Sequence, residues 1–330
     1  MGFLMAIPAA FTAFVFRIGL IRFIGGVVGL GFAGVLAISL FSDLATYFGS
    51  PPEPLAAEEF HAEPRSLHLP SDGPFGKFEK AQLQRGFQVY SEVCAACHSM
   101  SLVAFRDLEG LGYREAEIKK IASDWKTQVP SINPDTGEAA TRKALPADRI
   151  PSPFPNEIAA RAANNNSLPP DLSLMAKARE GGAAYVYSLL TGYRNADTYR
   201  NKEGKPVPAD AKPPQGLHFN PYFANLNIAM PPPLTSTGQV TYADGTPATV
   251  DQMAKDVSAF LAWTAEPNLE HRHAAGLAVA VFLLLASIFG YLAYRQIWRE
   301  AKRKVRVTGP LEPQNQAKSR RAKSKQGVVG

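Results

Sequence analysis

Cys94 and Cys97 are the only two cysteines in this 330-residue chain, and His98 follows the second directly, in the stretch SEVCAACHSM. Three chemistries use such a spacing. Paired thiols can cycle as a redox dithiol, thiolates and an imidazole can form part of a zinc site, and C-x-x-C-H can attach a c-type haem. The haem reading makes the sharpest demand. Two sulfurs must reach two different vinyl groups on one ring, and the next residue must fall under the iron. Two intervening residues in a helical turn meet it. Cys94 and Cys97 would be the thioethers, and His98 the proximal ligand through a neutral imidazole nitrogen. Zinc needs four ligands, so it would require His98 and a remote histidine beside the two thiols. A thioredoxin-like dithiol goes with alternating strands and helices, which this sequence lacks. A disulfide across two residues would be strained. The residues favour one covalently bound haem c.

A haem iron offers a second axial position. Met230, in NIAMPPPL, is the leading candidate, because three prolines after it fix the backbone and hold the sulfur without regular structure. A thioether there favours ferrous iron and raises the potential. Met230 could equally fill core, as most methionines do. Met100 lies too near His98 to reach round the ring, Met175 reads as a helix-face residue, and His218 would give a bis-histidine iron. Propionates need partners as well. ARAANNNSLPPDL (160–172) brings Arg161 together with Asn164, Asn165 and Asn166. A guanidinium can grip a carboxylate with two parallel hydrogen bonds, though Arg161 could also be a solvated side chain beside a polar turn.

The elements that must position these groups read as helices separated by proline loops. Residues 48–76 look like an extended linker. Phe78, Leu83, Phe87 and Tyr90 recur mostly at three- and four-residue spacing, which predicts a helix over 78–93 ending at the cysteine motif. Short helices are predicted over 114–124 and 156–163. Asp171 is expected to cap a helix running to Glu180 and stopped by Gly181–Gly182, with another helix over 183–190. Thr249 and Gln252 fit a capping box, opening a helix that puts Met253, Val257, Phe260 and Leu261 on one face. Strand signals are nearly absent, and no internal repeat is visible. A large apolar cofactor would supply packing that so few strong helices do not.

The net charge of +6 divides unevenly. Of 35 Lys/Arg and 29 Asp/Glu, eleven and two fall from Arg295 onward, leaving 24 and 27, a net of −3, in residues 1–294. The basic balance therefore belongs to the tail and does not point to nucleic acid. The acidic body suits salt-dependent docking of a cationic partner. Ala274–Tyr294 is a 21-residue run without charge, long enough at about 1.5 Å per residue to cross a ~30 Å bilayer core. Arg295, Arg299 and Lys302 to Lys304 follow it, so that end should be cytoplasmic. Phe23–Ser42 is a second uncharged run after Arg17 and Arg22, as in a secretory signal. The expected domains are a signal sequence or retained anchor over 1–57, an exported haem domain over 58–270, a transmembrane helix over 274–297, and a basic cytoplasmic tail over 298–330. Both charge arguments give one topology, with the haem domain outside the cytoplasm; in a bacterium that is the periplasm, with the chain in the inner membrane.

Five blocks together resemble the cytochrome c1 family, the haem c subunit of the cytochrome bc1 complex: RGFQVYSEVCAACHSM (85–100), PFPNEIAARAANNNSLPPDLSLMAKARE (153–180), YVYSLLTGY (185–193), NPYFANLNIAMPPPL (220–234) and DGTPATVDQMAKDVSAFLAWTAEP (244–267). The resemblance covers roughly residues 75–300. It implies a mainly α, class I cytochrome c-like domain with long loop insertions and a C-terminal membrane helix. It implies His98 and Met230 as axial ligands, Arg161 at a propionate, and the PPDL loop lining the pocket. The implied role is to take electrons from the Rieske iron–sulfur protein and pass them to a soluble cytochrome c, beside cytochrome b, in a dimeric quinol–cytochrome c reductase. The activity belongs to the complex and the chain is its electron carrier. Three features depart from the family. The extra cysteine pair of some bacterial members is missing, the N-terminal segment is unusually long and apolar for a signal, and the tail ending KSRRAKSKQGVVG has no family counterpart, though it suits anionic head groups. Two other functions fit the motif, a membrane-tethered monohaem cytochrome of another respiratory complex and a haem-free thiol-redox or zinc protein.

Overall fold

The computed structural model describes residues 19–49 and 55–304, with isolated positions at 314, 316–318 and 321. Most of the basic tail and the segment before Gly19 lie outside the described residues. The chain divides into two compact units, Met1–Phe60 and His61–Gly330. The first holds helix α1 (Leu20–Gly49) and a short helix α2 (Ala56–Phe60). Arg22–Gly49 of α1 is long and apolar enough to cross a membrane.

The second unit is helical with scattered short ladders. Its helices are α3 (Lys80–Glu92), α4 (Glu115–Ser123), α5 (Glu157–Ala163), α6 (Met175–Ala178), α7 (Gly182–Thr191), α8 (Val250–Ala265) and α9 (Leu269–Lys304). Three two-stranded antiparallel ladders join β1 (Met100–Ala104) to β4 (Arg149–Ile150), β2 (Val129–Ile132) to β3 (Ala139–Arg142), and β5 (His218–Phe219) to β6 (Asn227–Ile228). Such short strands carry too few positions for alternation to mark them, which is why the sequence shows so little of them.

The core is built where α3 crosses α8. Gly86 makes the close approach possible. A Cβ there would strike the Asp256 carbonyl and stand 2.6 Å from Phe260 Cβ. Arg85 then reaches over to α8, its Nε donating to Asp256 Oδ2 at 2.9 Å and its Nη1 to Asp244 Oδ2 at 2.8 Å. Asp256 is fully buried and takes a further hydrogen bond from Gln252 at 2.9 Å. Burial without such donors would be strongly unfavourable for a carboxylate. Around the crossing, Phe87 meets Phe260 edge-on at 5.7 Å and Tyr90 packs on Trp125 and Phe260. Burying these rings supplies the apolar area that fixes α3, and α3 carries the cysteine motif at its end.

The expected helix starts hold at α5, where Asn156 accepts from the Ala159 N–H at 2.9 Å, and at α8, where Thr249 accepts from the Gln252 N–H at 3.1 Å. Gln252 does not complete a capping box, because its amide turns to Asp256. The expected helix from Asp171 to Glu180 is reduced to the four residues of α6. Asp171 does not cap it, since its carboxylate is taken up by the segment after the cysteine motif and by Ser173. Gly181 takes φ of +79° as the N-cap of α7, and Gly192 ends that helix as expected. The expected linker contains α2 and then continues through 61–79 without regular structure but well anchored. Ala62 N–H donates to the Pro221 carbonyl at 2.7 Å and Arg65 N–H to Ser188 Oγ at 2.8 Å.

Helix α9 begins at Leu269, ahead of the uncharged run, and continues to Lys304. Its stretch Leu269–Arg299 is apolar, with none of its window buried, and at ~1.5 Å per residue it exceeds a bilayer core. Its first turn is bracketed to the domain that carries the cysteine motif. Glu270 Oε1 accepts from the Phe78 N–H at 3.0 Å, His273 Nδ1 meets the Gly76 carbonyl at 3.3 Å, and Glu266 pairs with Lys177 at 3.2 Å and also with Arg272.

Candidate haem-binding site

Helix α3 ends at Glu92, and a single 3₁₀ turn, Cys94–Ala96, carries the motif onward. The Cys97 and His98 N–H groups both donate to the Cys94 carbonyl, at 3.1 and 2.9 Å. This curl brings Cys94, Cys97 and His98 to one wall of a cavity of about 560 Å³, within the ~300–1,000 Å³ typical of cofactor sites. Val186, Leu189 and Leu190 of α7 and Val257 and Leu261 of α8 form apolar walls. Leu168 to Pro170 form another, and Ile228 to Pro231 bring in Met230. So two loops from far along the chain, one before Asp171 and one around Met230, close over the motif turn.

The imidazole is oriented from behind. His98 Nδ1 lies 2.8 Å from the Pro170 carbonyl oxygen. A carbonyl can only accept, so Nδ1 carries the proton and Nε2 keeps its lone pair. Burial lowers the His98 pKa, against the Pro170 bond and the Asp171 charge, which raise it. A neutral ring with a free Nε2 is the form that ligates a metal. Tyr90 Oη donates to the His98 carbonyl at 3.2 Å, pinning the backbone as well. Burial, with Cys97 adding to it, pushes the Cys94 thiol up to about 12. Dithiol exchange needs the thiolate, which this burial disfavours. Among the described residues, no three His, Cys, Asp or Glu side chains gather into a metal-binding group, so the donor set of a zinc site is not assembled there.

On the Met230 side, three prolines and a hydrogen bond fix the loop. Tyr193 Oη donates to the Met230 carbonyl at 3.0 Å. Two of the rival ligands lie elsewhere. Met100 is fully buried in β1, paired with Ile150. His218 sits in β5, its ring 6.4 Å from that of Tyr193, lining a separate cavity with Arg194 and Lys212. Met175 lines the haem-sized cavity too, as the first residue of α6.

Arg161 stands in the last turn of α5, exposed, with Nη1 donating to the Asn166 carbonyl at 3.3 Å. It is not among the cavity's lining residues, whereas Asn164, Arg179 and Tyr185 are. Sequence reasoning passes over Arg179 and Tyr185. Their spacing shows no motif, and the chain between them turns through two left-handed glycines, Gly181 and Gly182.

The donor set, an apolar cavity of this size and the anchor helix fit a haem c group. They define a membrane-anchored, mainly helical domain with a c-type haem-attachment motif at its central cavity. Residues 69–301 match the Cytochrome C1 family. Cytochrome c1 of Rhodospirillum rubrum is 46% identical over 240 residues, covering 70% of this chain and 85% of that protein. The cytochrome c1 heme protein of Saccharomyces cerevisiae is 40% identical over 286 residues, covering 85% and 87%. The cytochrome b-c1 complex catalytic subunit of Candida albicans is 40% identical over 291 residues, covering 88% and 94%. This chain belongs to the cytochrome c1 family.

Proposed function

We propose that this chain is the electron-transfer subunit of a ubiquinol–cytochrome c reductase. In this reading it receives electrons from the Rieske iron–sulfur protein and hands them to a soluble c-type cytochrome, alongside cytochrome b in a dimeric complex. The observation that carries the reading is the convergence of Cys94, Cys97, His98 and Met230 on one apolar cavity, in a chain of this family. When bound, haem c supplies a one-electron ferric/ferrous couple.

The chain's own residues then have assigned tasks. Cys94 and Cys97 hold the ring covalently. His98 would offer Nε2 to the iron, with Pro170 holding its Nδ1 proton. Met230 would offer its sulfur as the second ligand, on a backbone stiffened by Pro231 to Pro233. A His/Met pair gives a high potential, suited to a late position in a quinol-oxidising chain. Apolar walls exclude water and keep the potential from falling. In this reading Arg161, held at the end of α5 by its bond to the Asn166 carbonyl, is a propionate partner, together with Arg179 and Tyr185 of the cavity wall. Helix α9 anchors the domain, with its basic end cytoplasmic and the haem domain in the periplasm. Residues 1–57 direct export, as a cleaved signal or a second anchor.

The test combines spectrum and potential in the full chain from cells competent in haem attachment. A c-type reduced spectrum that survives acid–acetone extraction is expected, with cytochrome b and a Rieske protein in gently solubilised material. Met230→Leu should lower the midpoint potential strongly and stop turnover. A colourless protein would refute the haem reading. A Met230→Leu variant with unchanged potential would remove Met230 as the ligand.

A further inference from the structure

We infer that Asp171 is a positioning residue for the haem ligand: it locks the turn carrying the Pro170 carbonyl onto the segment carrying His98, and so sets the ring's orientation and electron supply. The inference rests on the reading of His98 as an iron ligand.

Both carboxylate oxygens of Asp171 are committed. Oδ2 accepts from the Ser99 hydroxyl at 2.8 Å and from the Ser101 N–H at 2.7 Å, and Oδ1 accepts from the Ser173 N–H at 2.8 Å. Two further bonds close the lock. The Leu172 N–H donates to the Ser99 carbonyl at 2.9 Å, and the Leu102 N–H donates to the fully buried Ser173 Oγ at 3.1 Å. Hydrogen bonds thus run repeatedly between 99–102 and 171–173. They begin directly after His98 on one side and directly after Pro170 on the other. The His98–Pro170 contact is the next rung of the same ladder.

A single acceptor on the outer ring nitrogen fixes an imidazole's tautomer and rotation and raises its basicity as a ligand. That acceptor works only if its backbone is held. No regular element holds it here, because the residues around Pro170 form neither helix nor strand. Asp171 supplies the missing fixture, and charge-assisted bonds are about twice as strong as neutral ones. An amide cannot replace it. Asn keeps one acceptor oxygen and turns an NH₂ group toward donors, so at least one rung is lost.

Asp171→Asn in the full-length, haem-loaded protein should raise the midpoint potential. A looser acceptor makes the ring a poorer electron donor, and a negative charge near the iron is removed. Both changes favour the ferrous state. The low-spin ferric EPR g-values should also shift, since they report the ligand plane. Ser99→Ala, which removes one donor and keeps the charge, should shift the g-values in the same sense with a smaller rise in potential. A role confined to folding would lower stability and leave both readouts where they were. Unchanged potential and g-values in Asp171→Asn overturn the inference. If that variant does not accumulate, the same null result in Ser99→Ala overturns it. His98→Ala separates the two readings: a wild-type haem spectrum in that variant would refute His98 as ligand, whatever Asp171 does.

Discussion

His98 and Asp251 show how a neighbour's hydrogen bond decides a side chain's charge and work. At His98 the neighbour is a backbone carbonyl, and the ring stays neutral. At Asp251, in the first turn of α8, the hydrogen bond from Lys255 and then that from Tyr187 lower the carboxyl pKa, with burial opposing them. The Tyr187 Oη–Asp251 Oδ1 distance is 2.6 Å, and this bond ties α7 to α8, the two helices that wall the cavity. Because the folded pKa is depressed, the stabilisation is complete above the unfolded value near ~4 and fades as pH falls through the folded value. The side chain is 55% exposed, so the effect is small, about 0.5 kcal/mol. Asp251→Asn should lose about that much at pH 7 and show a shallower loss below pH ~4, read by denaturant unfolding across pH. Equal acid slopes in variant and parent would count against the pairing. The motif residues are legible singly, because C-x-x-C-H is read locally. Asp171 is not: its sequence context suggests a helix cap, and its actual partners Ser99 and Ser101 lie 72 and 70 residues away. No local pattern encodes a partner at that distance.

Among elements, the α3–α8 crossing decides whether the motif is presented at all. Val257 and Leu261 face the cavity from α8 while α3 delivers Cys94. Arg85 and Asp256 join the two helices in a buried ion pair, and Gly86 lets the backbones touch. Removing one partner of a buried pair leaves an uncompensated charge and costs about 3–5 kcal/mol. Arg85→Ala should destabilise the haem domain by that order, seen as a lowered denaturant midpoint. A loss under ~1 kcal/mol would mean that aromatic packing, not the ion pair, holds the crossing. Helix α3 follows from three- and four-residue apolar spacing and α8 from the Thr249 cap and its apolar face, and α4, α5 and α7 fall where the sequence places short helices between proline loops. The short ladders do not, since so few positions carry no period and their pairing is set by the loops between them.

For the molecule as a whole, α9 joins the haem domain to the membrane through a short bracket of Glu270, His273 and Glu266. None of the domain's core lies in α9. A chain ending at Asn268 should therefore leave the membrane fraction, keep the near-UV CD signature of its aromatic core and bind haem. Retention in the membrane would show that α1 is a second anchor. The attachment motif, the apolar length of α9 and the basic charge at its end are legible in one dimension: residue spacing, continuous hydrocarbon and flanking charge are all local properties of a chain. The cavity is not. Arg179 rather than Arg161 on its wall, Asp171 behind the ligand and His218 outside the site depend on loops brought together from distant parts of the chain. Those loops have no periodicity of their own, so only packing on the α3–α8 crossing and the hydrogen bonds it brings within reach decide where they lie.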